Sequence, residues 1–310
     1  MMKKILKWIG IVIGSLIGLL LILVAALYLI GGRNQHKTWN IELEAVVIPT
    51  DAASVARGEH LVRSVAICVG CHGENLAGKV LINQPIFAVI YALNLTPGEG
   101  GAGGEFKDAD FVRAIRHGVD PDGRALTIMP AQNFYSMSDA DLGAVIAYLR
   151  TLPPVNNQLP DPKLGILARI LLATGMIKEK DIFPVEQIDH AARPAMPEAG
   201  VTKEYGDYLV RVGGCHDCHG ENYAGGADPN VPLGTNITPG GELGKWDEAT
   251  FMRVIRSGTT PAGRRLSGEM PWARYSGMTD DELKAVWLSL AALPALPNNP
   301  APVPTPTPIP

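Results

Sequence analysis

The chain opens with a long apolar run. From Ile5 to Ile30 the only charged residue is Lys7. At 1.5 Å per helical residue, the uncharged part of this run spans the roughly 30 Å hydrocarbon core of a bilayer. A secretory signal peptide has an apolar core of only about 7–15 residues. The pattern therefore predicts an uncleaved transmembrane anchor within residues 1–37.

Downstream, the apolar positions have helical spacing, and glycine- and proline-rich loops separate the helical segments. A first helix is expected over about Ala53–Ser64 and again over about Lys203–Val212. A last helix shows apolar residues at i, i+3, i+4 and i+7 in two places, which is typical of an amphipathic helix. These positions are Leu142, Val145, Ile146 and Leu149, and then Leu283, Val286, Trp287 and Leu290. The patterns predict an all-α fold.

A second helix is expected between them. Its apolar face is Phe111 and Ile115 in one place and Phe251 and Ile255 in the other. Acidic residues before a helical pattern favour N-caps, so Asp108 and Asp247 are the predicted caps. Thr279 with Glu282 forms the pattern of a capping box for the last helix. The chain therefore predicts the same three helices twice.

These pairs belong to an internal repeat. ARGEHLV at 56–62 matches EYGDYLV at 204–210, and FVRAIRHG at 111–118 matches FMRVIRSG at 251–258. The offset is 147 from Cys68 to Cys215 and 141 from Met129 to Met270. The first copy is thus longer, mainly between its cysteine motif and the following Asn-x-Thr-Pro stretch. Two units of this length predict two domains, at 38–155 and 200–295, joined by a linker at 156–199.

The linker and the end of the chain have their own patterns. The run from Leu164 to Ile177 is apolar enough for a helix but too short to span a membrane, so a helix packed across the domain seam is expected. From Pro294 on, proline recurs too often for a helix or a strand. Residues 296–310 are therefore predicted to form an extended, solvated tail.

The net charge and its distribution along the chain limit the classes of function that are expected. The net charge is −4, which argues against nucleic-acid binding. Residues 1–37 carry five Lys/Arg and no acid, whereas residues 38–155 carry eight basic and thirteen acidic side chains. Lys3, Lys4 and Lys7 favour a cytoplasmic N-terminus. The acidic globular part favours a basic partner, such as a basic soluble cytochrome.

The four cysteines of the chain all lie in two Cys-x-x-Cys-His motifs, CVGCH at 68–72 and CHDCH at 215–219. Structural zinc sites pair two such knuckles about 15–20 residues apart, and these motifs are much farther apart. A redox dithiol would require a βαβ context, which the helical pattern does not supply. Cys-x-x-Cys-His is the attachment signature of c-type haem, and two copies in repeated units favour two covalent haems.

Haem attachment assigns roles to the neighbouring residues. His72 and His219 become the iron ligands on one side. Met129 and Met270 occupy equivalent positions before a proline and are the predicted ligands on the other side, where a thioether raises the reduction potential. Met137 and Met278 are also equivalent, but they precede the last helix, where an apolar residue usually staples the helix end. His117 has Ser257 as its counterpart and is interpreted as a surface histidine.

Two further pairs are candidates for contacts with the haem propionates. Arg124 and Arg264 follow a glycine in equivalent loops and could pair with a propionate, or be solvated. Asn94 and Asn236 open the two Asn-x-Thr-Pro stretches. Either they hydrogen-bond a propionate or they fix a turn, and the sequence leaves both alternatives open.

With these residues in place, the chain resembles the class I cytochrome c family over about 53–155 and 200–295. The Asn-x-Thr-Pro, Phe-x-Arg-x-Ile-Arg-x-Gly and Met-Pro stretches, with the closing YLRTLPP, are similar to cytochrome subunits of membrane-bound alcohol, aldehyde and gluconate dehydrogenases. Those subunits carry three haem motifs and usually a C-terminal anchor. The resemblance implies a small helical bundle around each haem, and haem domains on the periplasmic or outer face of the cytoplasmic membrane.

The expected function is single-electron transfer rather than catalysis. Two His/Met-ligated haems would pass electrons from a dehydrogenase or quinol-oxidising complex to a soluble cytochrome or terminal oxidase. The alternative is a dihaem redox enzyme, of the peroxidase or thiosulfate-oxidising type. Such an enzyme requires an iron with an open position or a ligand other than methionine. A haem-based sensor is less favoured, because no signalling domain accompanies the motifs.

Overall fold

The computed structural model describes residues 2–192, 196–226 and 233–300. The helices are α1 Met2–Gly32, α2 Ala52–His60, α3 Val69–His72, α4 Ala102–Glu105, α5 Asp108–His117, α6 Ala131–Phe134, α7 Asp139–Arg150, α8 Ile166–Ala173, α9 Glu179–Ile182, α10 Lys203–Val212, α11 Cys215–His219, α12 Glu248–Ser257, α13 Trp272–Tyr275 and α14 Asp280–Ala291. The strands are β1 Lys79–Gln84, β2 Ala88–Ala92 and β3 Lys163–Leu164. A π-helical turn, Leu61–Val65, continues α2 towards the first cysteine motif.

Caps set the helix starts. Asp247 accepts a hydrogen bond from the backbone of Thr250 at 2.8 Å, as predicted for α12. Thr279 and Glu282 form the predicted capping box of α14. The prediction that Asp108 caps α5 is wrong. Asp108 is the first helical residue, and the carboxylate of Asp110 accepts from the backbone N–H of Lys107, one position before the helix.

The expectation of an all-α fold needs correction, because a small antiparallel sheet lies in the first copy. The strand order is β1-β2-β3, with β3 contributed by the linker. The two long strands form a hairpin in the extra length that the first copy has after its cysteine motif. β-branched residues such as Val80, Ile82, Val89 and Ile90 favour strands there.

The two copies share their central helix crossing. We call residues 53–155 the first repeat and residues 203–293 the second repeat. In the first, α2 crosses α7 so closely that a Cβ on Gly58 would lie 1.9 Å from the carbonyl oxygen of Ala144. In the second, α10 crosses α14, and a Cβ on Gly206 would lie 1.9 Å from the carbonyl oxygen of Ala285. Only glycine permits this approach of the helix backbones.

The two repeats pack against each other through one continuous hydrophobic cluster that includes residues of the π-helical turn after α2 and of α7, α10 and α14. Polar contacts across the seam join equivalent positions reciprocally. His60 lies 2.7 Å from Glu282, and its counterpart Tyr208 donates to Asp141, the counterpart of Glu282, at 2.7 Å. Such reciprocity is the pattern of a two-fold interface between copies of one unit.

Arg57 links the two repeats through hydrogen bonds to residues of both. It donates to Asp141 at 3.0 Å within the first repeat and to Glu282 at 2.6 Å in the second. It also donates to the hydroxyl of Tyr205 at 2.8 Å. Burial alone would raise the pKa of Glu282, but hydrogen bonds from His60, the Thr279 backbone and Arg57 outweigh it and lower that pKa to about 2. The carboxylate is therefore ionised and paired at neutral pH.

The N-terminal helix and the linker lie together on the first repeat. Among the described residues, α1 is the one helix long and apolar enough to cross a membrane, and its length and composition fit an anchor or a signal peptide alike. The linker helix α8 packs on α1 and on the sheet of the first repeat. The expectation that this helix crosses the seam between the domains is therefore wrong, because its buried side chains Ala168 and Leu172 belong to a cluster of first-repeat and linker residues.

The segment after α14 lacks regular secondary structure as far as residue 300, but it is not simply solvated. The backbone N–H of Leu296 donates to Thr238, and that of Asn299 donates to the carbonyl of Ala224. The chain is thus fixed to the second repeat as far as Asn299. The rest of the predicted tail, residues 301–310, lies outside the described residues.

Candidate haem-binding sites

Both cysteine motifs lie on single short helices. The first motif covers α3 together with Cys68, the residue before it, and the second forms the whole of α11. One helical turn separates the two cysteines of a motif, and the histidine is the last helical residue in both. In both copies a glycine with positive φ follows at once, Gly73 at +83° and Gly220 at +81°. This conformation, which glycine adopts without strain, ends the helix directly after the histidine.

Each of these histidines is held by a backbone carbonyl. His72 Nδ1 lies 2.7 Å from the carbonyl oxygen of Leu93, and His219 Nδ1 lies 2.6 Å from that of Thr235. Because a carbonyl only accepts, Nδ1 must carry the proton, and Nε2 keeps its lone pair. Burial lowers the pKa of both imidazoles, which favours their neutral form. A neutral, oriented imidazole is the form in which histidine binds a metal.

A largely apolar cavity of about 280 Å³ lies beside the second motif. Its lining includes Cys215, Cys218, His219 and Met270, which are all the predicted attachment and ligand residues of that repeat. Apolar side chains of the second repeat complete the wall; they include Leu209, Leu243, Trp246, Phe251, Ile255 and Leu283. Two thiols, an imidazole and a thioether on one apolar cavity fit a covalently attached haem in donor chemistry and in the apolar character of the wall.

The state of the thiols argues against a redox dithiol. Burial raises the pKa of Cys68 to about 12 and that of Cys215 to about 12. The pKa values of Cys71 and Cys218 are raised by burial as well. Catalytic dithiols have at least one thiol with a lowered pKa, because the thiolate is the reactive form. Neither motif provides such a thiol.

The predicted methionine ligands occupy matching backbone positions. The carbonyl of Met129 accepts from Ala131 at 2.7 Å, and the carbonyl of Met270 accepts from Trp272 at 2.7 Å. Both side chains are half-buried and pack against the common hydrophobic cluster. Met278 also lines the cavity, although the sequence assigned it to stapling the helix end. Among the described residues that line the cavity, it is the one rival thioether.

Asn94 and Asn236 have similar environments. Asn94 donates to the carbonyl of Val155 at 2.8 Å, and its amide oxygen accepts from the backbone and hydroxyl of Thr96. Asn236 makes the same pair of contacts with Leu296 and Thr238. Asn94 is fully buried and Asn236 nearly so. The geometry supports the alternative in which these amides fix a turn, and a propionate contact stays a prediction.

The Asn-x-Thr-Pro turn also positions the carbonyl that holds each histidine, which the sequence did not predict. The carbonyls that hold the histidines belong to Leu93 and Thr235, the residues directly before Asn94 and Asn236. By fixing the Asn-x-Thr-Pro loop to the segment after the last helix, the asparagine also fixes the histidine's partner. The recurrence of this stretch in both repeats was the available signal.

The two arginines differ in their surroundings. Arg264 borders the cavity and forms an ion pair with Glu242. Arg124 pairs with Asp122 at 2.9 Å and is half exposed. A propionate partner for either arginine stays a prediction.

The interpretation of His117 as a surface histidine is wrong. Its side chain is fully buried, with Nδ1 3.0 Å from Nδ1 of His190 and Nε2 3.3 Å from a carboxylate oxygen of Glu44. Both partners come from outside the first repeat's helices, one from the N-terminal segment and one from the linker. Sequence periodicity could not foresee segments that fold back over α5.

Comparison with known proteins identifies the region that contains the first motif. The family described as cytochrome C oxidase, cbb3-type, subunit III matches residues 53–149. These residues form a cytochrome c domain. Covalently bound haem c is the cofactor of that domain, in agreement with the first Cys-x-x-Cys-His motif.

Several curated relatives extend over most of the chain. The "Alcohol dehydrogenase (quinone), cytochrome c subunit" of Gluconobacter oxydans (strain 621H) is 28% identical over 276 residues, covering 80% of this chain and 56% of that protein. The "Fructose dehydrogenase cytochrome subunit" of Gluconobacter japonicus is 28% identical and covers 80% and 55%. The "Gluconate 2-dehydrogenase cytochrome c subunit" of Pantoea cypripedii is 28% identical and covers 78% and 60%.

The chain thus spans 55–60% of the length of these three relatives. Their names agree with the predicted resemblance to dehydrogenase cytochrome subunits. They also agree with the prediction of an electron-transfer subunit, rather than an enzyme that transforms a substrate itself.

Proposed function

We propose that the protein is a membrane-anchored dihaem c-type cytochrome that transfers single electrons. In this proposal, residues 38–155 and 200–295 are two tandem cytochrome c domains, each with one haem c. Residues 1–37 anchor them, residues 156–199 connect them, and residues 296–310 form the tail. The observation that carries the proposal for the second domain is the apolar cavity that Cys215, Cys218, His219 and Met270 line together.

The residues of each repeat have defined parts in holding the cofactor. Cys68 and Cys71, and likewise Cys215 and Cys218, would supply the thioether links, while His72 and His219 would ligate the iron through Nε2. Met129 and Met270 would be the second protein ligands of the iron, where a thioether would raise the reduction potential and leave no room for a substrate. Haem c, when bound, supplies a one-electron couple. The apolar wall excludes water and so also tunes the potential.

A dehydrogenase is the proposed electron donor. The relatives named as cytochrome subunits of alcohol, fructose and gluconate dehydrogenases support this partner class. A soluble cytochrome or terminal oxidase is the proposed acceptor. With Lys3 and Lys4 on the cytoplasmic side, α1 would place the haem domains on the periplasmic or outer face.

An optical redox titration of the detergent-purified holoprotein tests the proposal, together with a haem count from the pyridine haemochrome. We expect two haems per chain, both with the weak far-red ferric band of methionine ligation and neither reactive with carbon monoxide or peroxide. A single haem per chain would contradict the dihaem assignment. One haem that lacks the band and reacts with peroxide would favour the dihaem-enzyme alternative.

Single substitutions assign the ligands. Met129→Leu and Met270→Leu should each remove half of the far-red band and lower one potential. Met278→Leu tests the rival sulfur of the same cavity and should leave the band unchanged. Met252→Leu, on α12, is the matched control for a half-buried methionine of the second repeat. Loss of the band in Met278→Leu, but not in Met270→Leu, would overturn the assignment of Met270.

A further inference from the structure

The linker helix α8 is apolar on every side except the one that carries Arg169. Its sequence is ILARILLA, and Arg169 is its only charged residue. Ala168 and Leu172 are buried against the sheet side of the first repeat. A helix that is apolar on every side is normally enclosed by protein or surrounded by lipid.

A second side of α8 faces away from the protein. Ile166 and Leu167 are 44% and 43% exposed, and the next turn, Ile170 and Leu171, is only half-buried. Ile86 continues this surface, because its carbonyl accepts from the backbone of Leu167 at 2.9 Å and its side chain is 70% exposed. Each of these side chains keeps an exposed part that the described residues leave uncovered.

The membrane helix lies directly beside this surface. A Cβ on Gly31 of α1 would lie 1.8 Å from the carbonyl oxygen of Arg169, so the two backbones touch. Along α1, Val24 and Leu27 are half-buried where most neighbouring residues are exposed. α8 therefore packs along the last two turns of α1, beside the final part of its apolar run.

The single charge of α8 is turned towards α1. Arg169 donates to Gln35 at 2.7 Å and to the carbonyl of Leu164 at 3.1 Å. Its guanidinium also lies 4.4 Å from the ring centre of Tyr28. Tyrosine near the end of a membrane helix is typical of the headgroup level, and arginine can bury its stem while its charge finds polar partners there. The open face of α8 keeps only apolar side chains.

We propose that the open face of α8, formed by Ile166, Leu167, Ile170 and Leu171 with Ile86, is immersed in the outer interface of the lipid bilayer. The occupant of this surface is lipid, because the surface is continuous with the helix that crosses the membrane. This inference depends on the proposed retention of α1 as an anchor. It goes further, since it gives the first cytochrome domain a second membrane contact and a fixed orientation.

Site-specific photocrosslinking tests this contact in the full-length holoprotein reconstituted into phosphatidylcholine–phosphatidylglycerol vesicles. The photoreactive residue p-benzoylphenylalanine replaces Leu167 in one variant and Leu20 of α1 in a second. In a third it replaces Leu288, a 37% exposed leucine of α14. A variant at Ile86, which belongs to the same face and is 70% exposed, gives an independent report should position 167 impair folding. Haem content verifies that each variant folds.

We expect lipid adducts at positions 20, 86 and 167, at least tenfold above position 288. Lipid adducts at 20 without any at 86 and 167 would overturn the interfacial contact while the anchor stands. Adducts of position 167 with a second polypeptide in place of lipid would overturn it too and make the face a protein interface. The absence of lipid adducts at position 20 would contradict the proposed membrane anchor, and with it the interfacial contact.

Discussion

The two repeats keep the same internal parts but differ in what surrounds them. The histidine-to-carbonyl distance is 2.7 Å in the first repeat and 2.6 Å in the second, and each helix crossing requires a glycine. The first repeat is additionally covered by the segment 38–51, the β-hairpin and the linker. In the second repeat Leu288 of α14 is 37% exposed, whereas its counterpart in α7, Ala147, is buried. The parts proposed to hold a haem are therefore local to each repeat, whereas the segments that cover the two repeats differ.

Removal of one attachment motif should have the largest effect. The double substitution Cys215→Ser with Cys218→Ser should reduce the haem content from two to one per chain, because each motif serves its own repeat. The matched variant, Cys68→Ser with Cys71→Ser, should do the same. The pyridine haemochrome measures both. Loss of both haems from either variant would show that the sites are not independent.

The glycine crossings should give the next largest effect. Gly58→Ala and Gly206→Ala each place a methyl group against a backbone carbonyl, which cannot move like a flexible side chain. We expect each to lower the free energy of unfolding by about 3 kcal/mol or more, as for severe overpacking. Denaturant unfolding measures this, with Gly268→Ala as control, since a Cβ there would meet nothing within 4 Å. Unequal losses would show that the two crossings are not equivalent.

Acid should weaken the seam between the repeats. The pKa of Glu282 is about 2 in the folded protein against an ordinary value of 4.5. A lowered folded pKa means that the stabilisation is complete above about pH 4.5 and is lost as the pH falls towards 2. From this shift we expect a contribution of about 2–3 kcal/mol to the free energy of unfolding at neutral pH.

Glu282→Gln should flatten the stability profile between pH 4.5 and 2, as measured by urea unfolding at each pH. Glu204→Gln, at an exposed position on α10, is the control and should keep the wild-type profile. An unchanged profile in Glu282→Gln would contradict the role of this carboxylate.

The asparagine turns should give the smallest effect. Asn94→Ala and Asn236→Ala each leave the backbone N–H of a fully buried threonine, Thr96 or Thr238, without its acceptor, at a cost of about 1–3 kcal/mol. Because the same loop carries the histidine's carbonyl partner, each variant should also shift the potential of its own haem. Redox titration detects this shift, and rescue by Asn→Asp should be poor, since a carboxylate cannot donate to Val155 or Leu296. Unchanged potentials would limit the asparagines to stability.

The sequence predicted the repeated helices and the attachment residues because both depend on short-range patterns. The spacing of Cys215, Cys218 and His219 defines one helical turn, and Thr279 with Glu282 defines a cap. The β-hairpin escaped this reasoning because an apolar loop and a short strand have similar patterns. His117 escaped it because Glu44 and His190, which bury it, are distant in sequence. Contacts made by covering segments cannot be derived from the periodicity of the covered helix.

The two equivalent contacts between the repeats can be changed independently by substitution. In a dimer of identical chains, one gene substitution alters both symmetry-related contacts at once. Here the equivalent positions are encoded separately, and their residues differ. His60 contacts Glu282, whereas Tyr208 contacts Asp141. A substitution can therefore remove one of these two contacts while the other still holds the repeats together. One of the two proposed haem sites can thus change while the contact on the other side of the interface stays in place.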